Sequence, residues 1–340
     1  MTESRRSVPF SYRPGRPLFA VAPMIDWTDR HCRMLHRLLA PDALLYTEMV
    51  VADAVLHGDR ERILGFDAAE HPVALQLGGS DPDKLARAAA IGAGMGYDEI
   101  NFNVGCPSDR VQSGAFGACL MREPKLVGAC LKAMREAVAV PVTVKCRIGV
   151  DEQETGPALD ALADEAVEAG VSAIWVHARK AWLKGLSPKE NREIPPLDYE
   201  RVYALKRRLP DVFVGLNGGL ASVAAGAGQI GRVDGVMLGR AAYNQPDDLR
   251  NVAPLIAKVE RRPIEDGELI EAMTHYAEQH IARGGRLGQV TRHMTSLFAG
   301  RPGARRWRQI LSEDAVRPGA DASLIARAFT EVRPIETVAA

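Results

Sequence analysis

Net charge is the first thing this sequence lacks: 43 Lys and Arg balance 43 Asp and Glu over 340 residues. That balance excludes a globally basic nucleic-acid binder and leaves charge-driven recognition to local patches. No apolar run reaches the roughly 18 residues that a membrane span requires, so no membrane association is expected. Arg5 and Arg6 are not followed by an apolar stretch, so no secretory signal is read. The five cysteines, at 32, 106, 119, 130 and 146, are odd in number and show no CxxC spacing. This argues against a disulfide framework and a thiolate metal site, and for reduced thiols in the cytoplasm. No metal and no obligate protein partner are expected. A dinucleotide fingerprint, GxGxxG opening a helix directly after the first strand, is also missing. After the first apolar segment the chain runs Ala22-Pro-Met-Ile-Asp-Trp-Thr-Asp29 instead.

What the chain does have is repetition of strand-like and helix-like segments. Eight strand-like segments are read at Leu18–Ile25, Ala43–Val50, Val73–Leu77, Glu99–Val104, Val142–Ile148, Ala173–Ala178, Val212–Leu216 and Gly235–Leu238. Most are continuous apolar runs, as expected of parallel strands covered on both faces. Ala-rich amphipathic stretches lie between them, among them Pro82–Gly94, Lys125–Ala139, Pro157–Gly170 and Tyr199–Leu209. Eight β-then-α units in about 240 residues predict an α/β fold of the closed (β/α)₈ TIM-barrel class rather than an open sheet. After Pro254 the strand pattern stops. Helices are expected at Ile264–Arg283, Gly288–Phe298, Ala304–Leu311 and Ala322–Glu331. The expected division is a barrel over 1–254 and a helical domain over 255–340, entered through Arg262-Pro263.

Barrel sites lie at the C-terminal ends of the strands. The first strand ends in Pro23-Met24-Ile25-Asp26, the third carries Gln76 and the fifth carries Lys145-Cys146-Arg147. The sixth ends His177-Ala-Arg179-Lys180, the seventh Asn217-Gly218-Gly219 and the eighth Gly239-Arg240. The fourth ends Asn103-Val-Gly-Cys106-Pro107, where Pro107 stops the ladder and leaves a thiol before a Gly/Ser loop that Gly114 and Gly117 let bend. Such a cysteine either does chemistry on a ligand above the barrel or packs inertly beside a turn. Glycines after strands seven and eight, each before a helix, suit a phosphate. Lys145 interrupts an apolar strand, and a buried ammonium calls for an anionic ligand. Two segments are basic: 179–192 has five Lys/Arg against Glu190, and 274–309 has seven Arg against Glu278.

Ala22-Pro-Met-Ile-Asp-Trp-Thr-Asp29, Asn103-Val-Gly-Cys-Pro-Ser108, Val144-Lys-Cys-Arg-Ile-Gly149 and Asn217-Gly-Gly219 resemble the tRNA-dihydrouridine synthase family. Val176–Arg192, Thr291–Phe298 and Gly303–Trp307 resemble its A-type subfamily, and the likeness covers nearly all the chain. The resemblance implies FMN on the barrel: Pro23, Met24 and Ile25 lining the flavin, Gln76, Lys145 and His177 contacting it, and Asn217, Gly218, Gly219, Gly239 and Arg240 at its phosphate. It implies Cys106 as the general acid and Asn103 against the target nucleotide. NADPH would be the reductant, C6 of uracil the hydride acceptor and C5 the proton acceptor, with Lys145 stabilising the reduced ring. The implied substrate is tRNA at D-loop uridines 20 and 20a, the target base being extruded to reach the flavin. Lys184, Lys189, Arg192, Arg301 and Arg305 are the expected RNA contacts, and Trp182 and Trp307 either stack a base or pack between the domains. Two alternatives stay open: a flavin dehydrogenase of free pyrimidines, of the dihydroorotate type, and a tRNA-binding protein with a decayed site.

Overall fold

The apolar segments assemble into eight parallel strands: β1 (Leu18–Val21), β2 (Leu44–Val51), β3 (Val73–Gly78), β4 (Glu99–Val104), β5 (Val142–Arg147), β6 (Ala173–His177), β7 (Phe213–Asn217) and β8 (Gly235–Leu238). Each pairs with its sequence neighbour and β8 pairs with β1, so the sheet is a closed barrel. The computed structural model describes residues 11–13, 15–108 and 116–333. Arg5, Arg6 and the loop stretch 109–115 with Gly114 lie outside the described residues. The helices fall close to expectation where local signals agree. Pro82–Gly94 has Pro at its first turn and Asp81 as N-cap, accepting from the N–H groups of Asp83 and Lys84.

Two expected elements are shorter than the pattern suggested. β1 stops at Val21 rather than Ile25, because Pro23 has no N–H to donate and Asp26 turns to a positive φ of 66°. The helix expected over Gly288–Phe298 covers only Leu287–Thr291. Beyond it the chain serves tertiary contacts. Arg292 and His293 bond Asp29 on the barrel at 2.6 and 3.0 Å, and Phe298 has φ 62° with its N–H on Asp247 at 2.7 Å.

The C-terminal helical region, with Asp266–Ala282, Leu287–Thr291, Ala304–Gln309 and Ser323–Phe329, is joined to the barrel by these bonds and others. His31 Nδ1 lies 2.8 Å from the Tyr276 hydroxyl, and Arg250 bonds Asp266 at 2.8 Å. Asp29 also caps the helix Arg30–Leu39 through the N–H groups of His31 and Cys32. One carboxylate therefore both starts a barrel helix and anchors the helical region. Among the described residues no helix is long and apolar enough to cross a membrane.

The lower half of the barrel is filled by Tyr46, Trp175 and Phe213, with Tyr12 packed edge-on against Phe213. This filling depends on two strand positions without side chains. A Cβ on Gly215 would lie 2.1 Å from Trp175 Cε3, and one on Gly235 would lie 2.7 Å from Phe213 Cζ. Gly215→Ala is therefore expected to lower stability by about 1–3 kcal/mol through overpacking, read from the urea midpoint. An unchanged midpoint would mean that Trp175 has another place to go.

Candidate active site

The barrel register sets the polar strand ends side by side. Asn103 pairs with Lys145, Arg147 with His177, and His177 with Asn217. These residues share the C-terminal end of the barrel, as expected from their sequence positions.

Cys106 is held by the turn that ends β4. The Asn103 side-chain oxygen accepts from the backbone N–H of Gly105 at 3.1 Å and of Cys106 at 3.0 Å. An asparagine that bonds its own following backbone is a common turn device. The Asn103 amide nitrogen donates to Gln76 Oε1 at 2.8 Å, and Gln76 Nε2 donates to Asn101 at 2.7 Å. Cys106 is partly exposed, with its sulfur 3.5 Å from Ser108 Oγ, and its carbonyl accepts from Ala118 N–H at 2.9 Å.

Beside the thiol stands a group of cations with few anions among them. Lys145 keeps some exposure toward the barrel mouth. Burial, then Arg147, nevertheless lowers its ammonium to about 8, and it has no hydrogen-bond or ion-pair partner among the described residues. Arg147 is 4% exposed and directs its guanidinium at carbonyls. It donates to Gly105 at 3.2 Å, Lys180 at 3.2 Å and Asn191 at 2.9 Å, tying the thiol's turn to the loop after β6. Burial, then Arg147 and Lys145, pushes His177 well below its usual range, so the ring is neutral near pH 7. Among the described residues its buried Nδ1 has no hydrogen-bond partner, and neither does Arg179 Nε. Orphaned buried polar atoms are uncommon and point to a group that the chain does not itself supply. Arg147 stands among the polar strand ends but carried no expected role, although its i, i+2 spacing from Lys145 puts both on one face of β5.

The glycines that follow β7 and β8 differ from each other. Gly218 and Gly219 have φ of 105° and 69°, which L side chains rarely adopt. The His177 ring lies about 3 Å from where a Gly218 Cβ would sit. The helix after β7, Val223–Ala227, is capped by Ser222 and by Asp248, so its N–H groups are partly occupied. The helix after β8, Arg240–Asn244, has no side-chain cap, and a Cβ on Gly239 would meet nothing closer than Met24 Sδ at 3.6 Å. The open approach is thus at Gly239, beside Met24. Arg240 forms an ion pair with Glu193, and Asn217 donates to the Met237 carbonyl at 2.6 Å. Pro23 and Met24 are partly exposed and Ile25 is 52% exposed, so an apolar edge faces the same mouth. An orphaned imidazole nitrogen, an unpaired ammonium, an apolar edge and an open glycine together fit an anionic, planar cofactor such as FMN.

The expected RNA contacts separate. Lys184, Lys189, Arg192 and Arg305 are exposed. The Arg301 side chain is 18% exposed, ion-paired with Asp266 and set 4.9 Å from the Phe298 ring centroid, which commits its charge within the helical region. Trp307 is fully buried and donates to the Met294 carbonyl, so it packs. Trp182 is partly exposed, with Lys180 over its ring at 5.5 Å. A groove of about 840 Å³ in the helical region carries Arg286, Arg292 and Arg317 on its wall and reaches Asp29 on the barrel. Among the described residues no cluster of His, Cys, Asp and Glu is suited to a metal.

A family model described as dihydrouridine synthase (Dus) matches residues 20–332. A protein of Xanthomonas campestris pv. campestris called tRNA-dihydrouridine(20/20a) synthase is 57% identical over 310 residues, 91% of this chain and 92% of that protein. Proteins of the same name from Yersinia pestis and Vibrio cholerae are 52% and 50% identical over 325 and 314 residues. They cover 95% and 92% of this chain, and 94% and 96% of their own lengths.

Two outcomes follow from the geometry. Gly239→Val should yield folded protein that has lost FMN, whereas Gly218→Val should also lose stability through backbone strain and the His177 contact. Flavin absorbance and thermal melting separate the two, and full flavin occupancy in Gly239→Val would move the phosphate elsewhere. Because Lys145 loses its charge near pH 8, affinity for an anionic flavin should fall as pH rises through that value. The cofactor-free fold should gain stability over the same rise, since its buried ammonium is discharged. Lys145→Arg should flatten the affinity profile, measured by flavin fluorescence titration.

Proposed function

The chain belongs to the dihydrouridine synthase family, and we propose that it reduces the C5–C6 double bond of D-loop uridines 20 and 20a in tRNA, with FMN bound on the barrel and NADPH as reductant. The observation that carries this is the pairing of strand ends at β4 and β5. A thiol fixed by two backbone N–H bonds stands beside an ammonium with no anionic partner among the described residues.

Bound FMN would supply the hydride that arrives at C6 of the uracil ring. Residues of this chain do the rest. Cys106 gives its Sγ proton to C5, where negative charge develops. The Lys145 ammonium offsets charge on the reduced cofactor. The neutral His177 meets a cofactor polar atom through its orphaned nitrogen. Pro23, Met24 and Ile25 cover its apolar edge, and backbone N–H groups at Gly218, Gly219, Gly239 and Arg240 hold its phosphate. Gln76 and Asn103 keep one amide hydrogen each beyond their bonds within the chain, for cofactor and nucleotide respectively. The division of labour is a catalytic barrel over 1–254 and a tRNA-holding helical part over 255–340, in the cytoplasm. Lys184, Lys189, Arg192 and Arg305 are the exposed counter-charges for phosphates. Arg301 supports that surface from within through Asp266.

Cys106→Ala should retain FMN and its reduction by NADPH but lose dihydrouridine formation by about 10²–10⁴-fold, the usual contribution of a general acid. Cys119→Ala should be mild. Mass-spectrometric mapping of tRNA from a deletion strain carrying each variant reads both outcomes, and near-normal dihydrouridine with Cys106→Ala would remove the thiol from the chemistry. Arg305→Ala and Lys184→Ala should each weaken tRNA binding and reduce the salt slope by about one for each phosphate no longer neutralised, with flavin reduction unchanged. Arg301→Ala should instead lower the melting temperature. Unchanged tRNA affinity with slower flavin reduction in the first two would assign those cations to NADPH.

A further inference from the structure

The hydrogen bonds that hold the thiol's turn do not end at Gln76. Asn101 accepts from Gln76 Nε2 and donates through Nδ2 to Thr143 Oγ1 at 2.7 Å. The Thr143 hydroxyl donates to Glu99 at 2.5 Å. Glu99 also accepts from Tyr46 and from Tyr12, each at 2.6 Å, and Tyr12 accepts from Trp175 Nε1 at 3.1 Å. Glu99, Asn101 and Thr143 are wholly buried, Gln76 is 1% exposed and Asn103 7%. A single polar ladder therefore climbs the inside of the barrel from its lower plug to the backbone of Cys106.

The ladder has a direction. Backbone N–H groups can only donate, so Asn103 must turn its oxygen toward Gly105 and Cys106. Its nitrogen must then face Gln76, which must donate to Asn101, which must donate to Thr143, which must donate to Glu99. At the lower end a carboxylate can only accept. Burial raises Glu99 to about 7 even against the three hydroxyl donors that favour the anion, so the lower end imposes this orientation in its carboxylate form. Both ends thus demand the same orientation of every amide between them. A buried amide deprived of a partner either rotates or stays unsatisfied, and its neighbours inherit the choice.

We infer that Asn101 is a positioning residue for Cys106, acting through Gln76 and Asn103, so that the buried Asn101–Thr143–Glu99 hydrogen bonds hold the turn that presents the thiol. The inference rests on the reading of Cys106 as the acid, but its first readout does not. In the holoenzyme, Asn101→Leu should change the iodoacetamide labelling rate of Cys106 severalfold against Cys119 in the same protein, followed by mass spectrometry. It should also lower saturating turnover on tRNA by about ten- to a hundredfold, the cost of misplacing a reacting group. Thr143→Val cuts the ladder one rung lower and should act in the same direction, with Thr143→Ser restoring both readouts. Tyr46→Phe removes a buried hydroxyl from Glu99 but leaves the ladder intact, so it should lower the melting temperature without altering labelling or turnover. Normal labelling and turnover in both Asn101→Leu and Thr143→Val would overturn the inference. So would a turnover loss in Tyr46→Phe as large as theirs, because it would reduce the ladder to core stability. Shifted labelling together with an active Cys106→Ala would keep the ladder and refute the acid instead.

Discussion

A partly buried ammonium beside a guanidinium, with no carboxylate among the described residues to meet it, is the constraint around which the barrel mouth is arranged. Lys145 and Arg147 project from one face of β5, His177 ends the next strand and Arg179 lies just beyond it. Burying such charges is costly, and the chain offsets the cost in two ways. Arg147 is neutralised by dipoles, through carbonyls of the thiol turn and of the loop after β6. Lys145 keeps part of its surface exposed at the mouth, and the buried Nδ1 of His177 meets no hydrogen-bond partner among the described residues. The mouth is therefore electropositive, and the same arginine that tolerates burial links the Cys106 turn to the basic loop 179–192.

Stability and function divide along the barrel axis. The lower half is a rigid plug in which two glycines make room for Trp175 and Phe213. The upper half carries side chains whose hydrogen-bonding capacity is only partly used. The polar residues of β4, Glu99, Asn101 and Asn103, face inward at period two and connect these halves. The helical region enters through Asp29, whose carboxylate serves a helix N-terminus, Arg292 and His293 together. That bond lies just beyond β1, so the helical region is fastened close to the barrel mouth.

Much of this was legible in the chain. Continuous apolar runs mark most of the buried parallel strands, and β4 and β8 agree end to end with the segments expected for them. Strand ends gather the polar residues because a closed barrel leaves them nowhere else to converge. What could not be read from sequence was partnership over distance. Arg301 looks like a free cation until Asp266, in another helix, takes its charge. Trp307 has the composition of a stacking residue and the burial of a core one. The stretch 292–298 keeps helical periodicity, but Asp29 and Asp247 claim its side chain and backbone. The two glycine turns after β7 and β8 look alike in sequence, and only the surroundings of Gly218 and Gly239 separate them.

The most direct measurement is a single turnover without oxygen: the purified protein is reduced with NADPH, excess nicotinamide is removed, and unmodified tRNA is added. The expected result is return of the oxidised flavin spectrum in step with one dihydrouridine per flavin, formed at positions 20 and 20a and absent when free uridine replaces tRNA. A colourless protein, or flavin oxidised as readily by free pyrimidine as by tRNA, would contradict it.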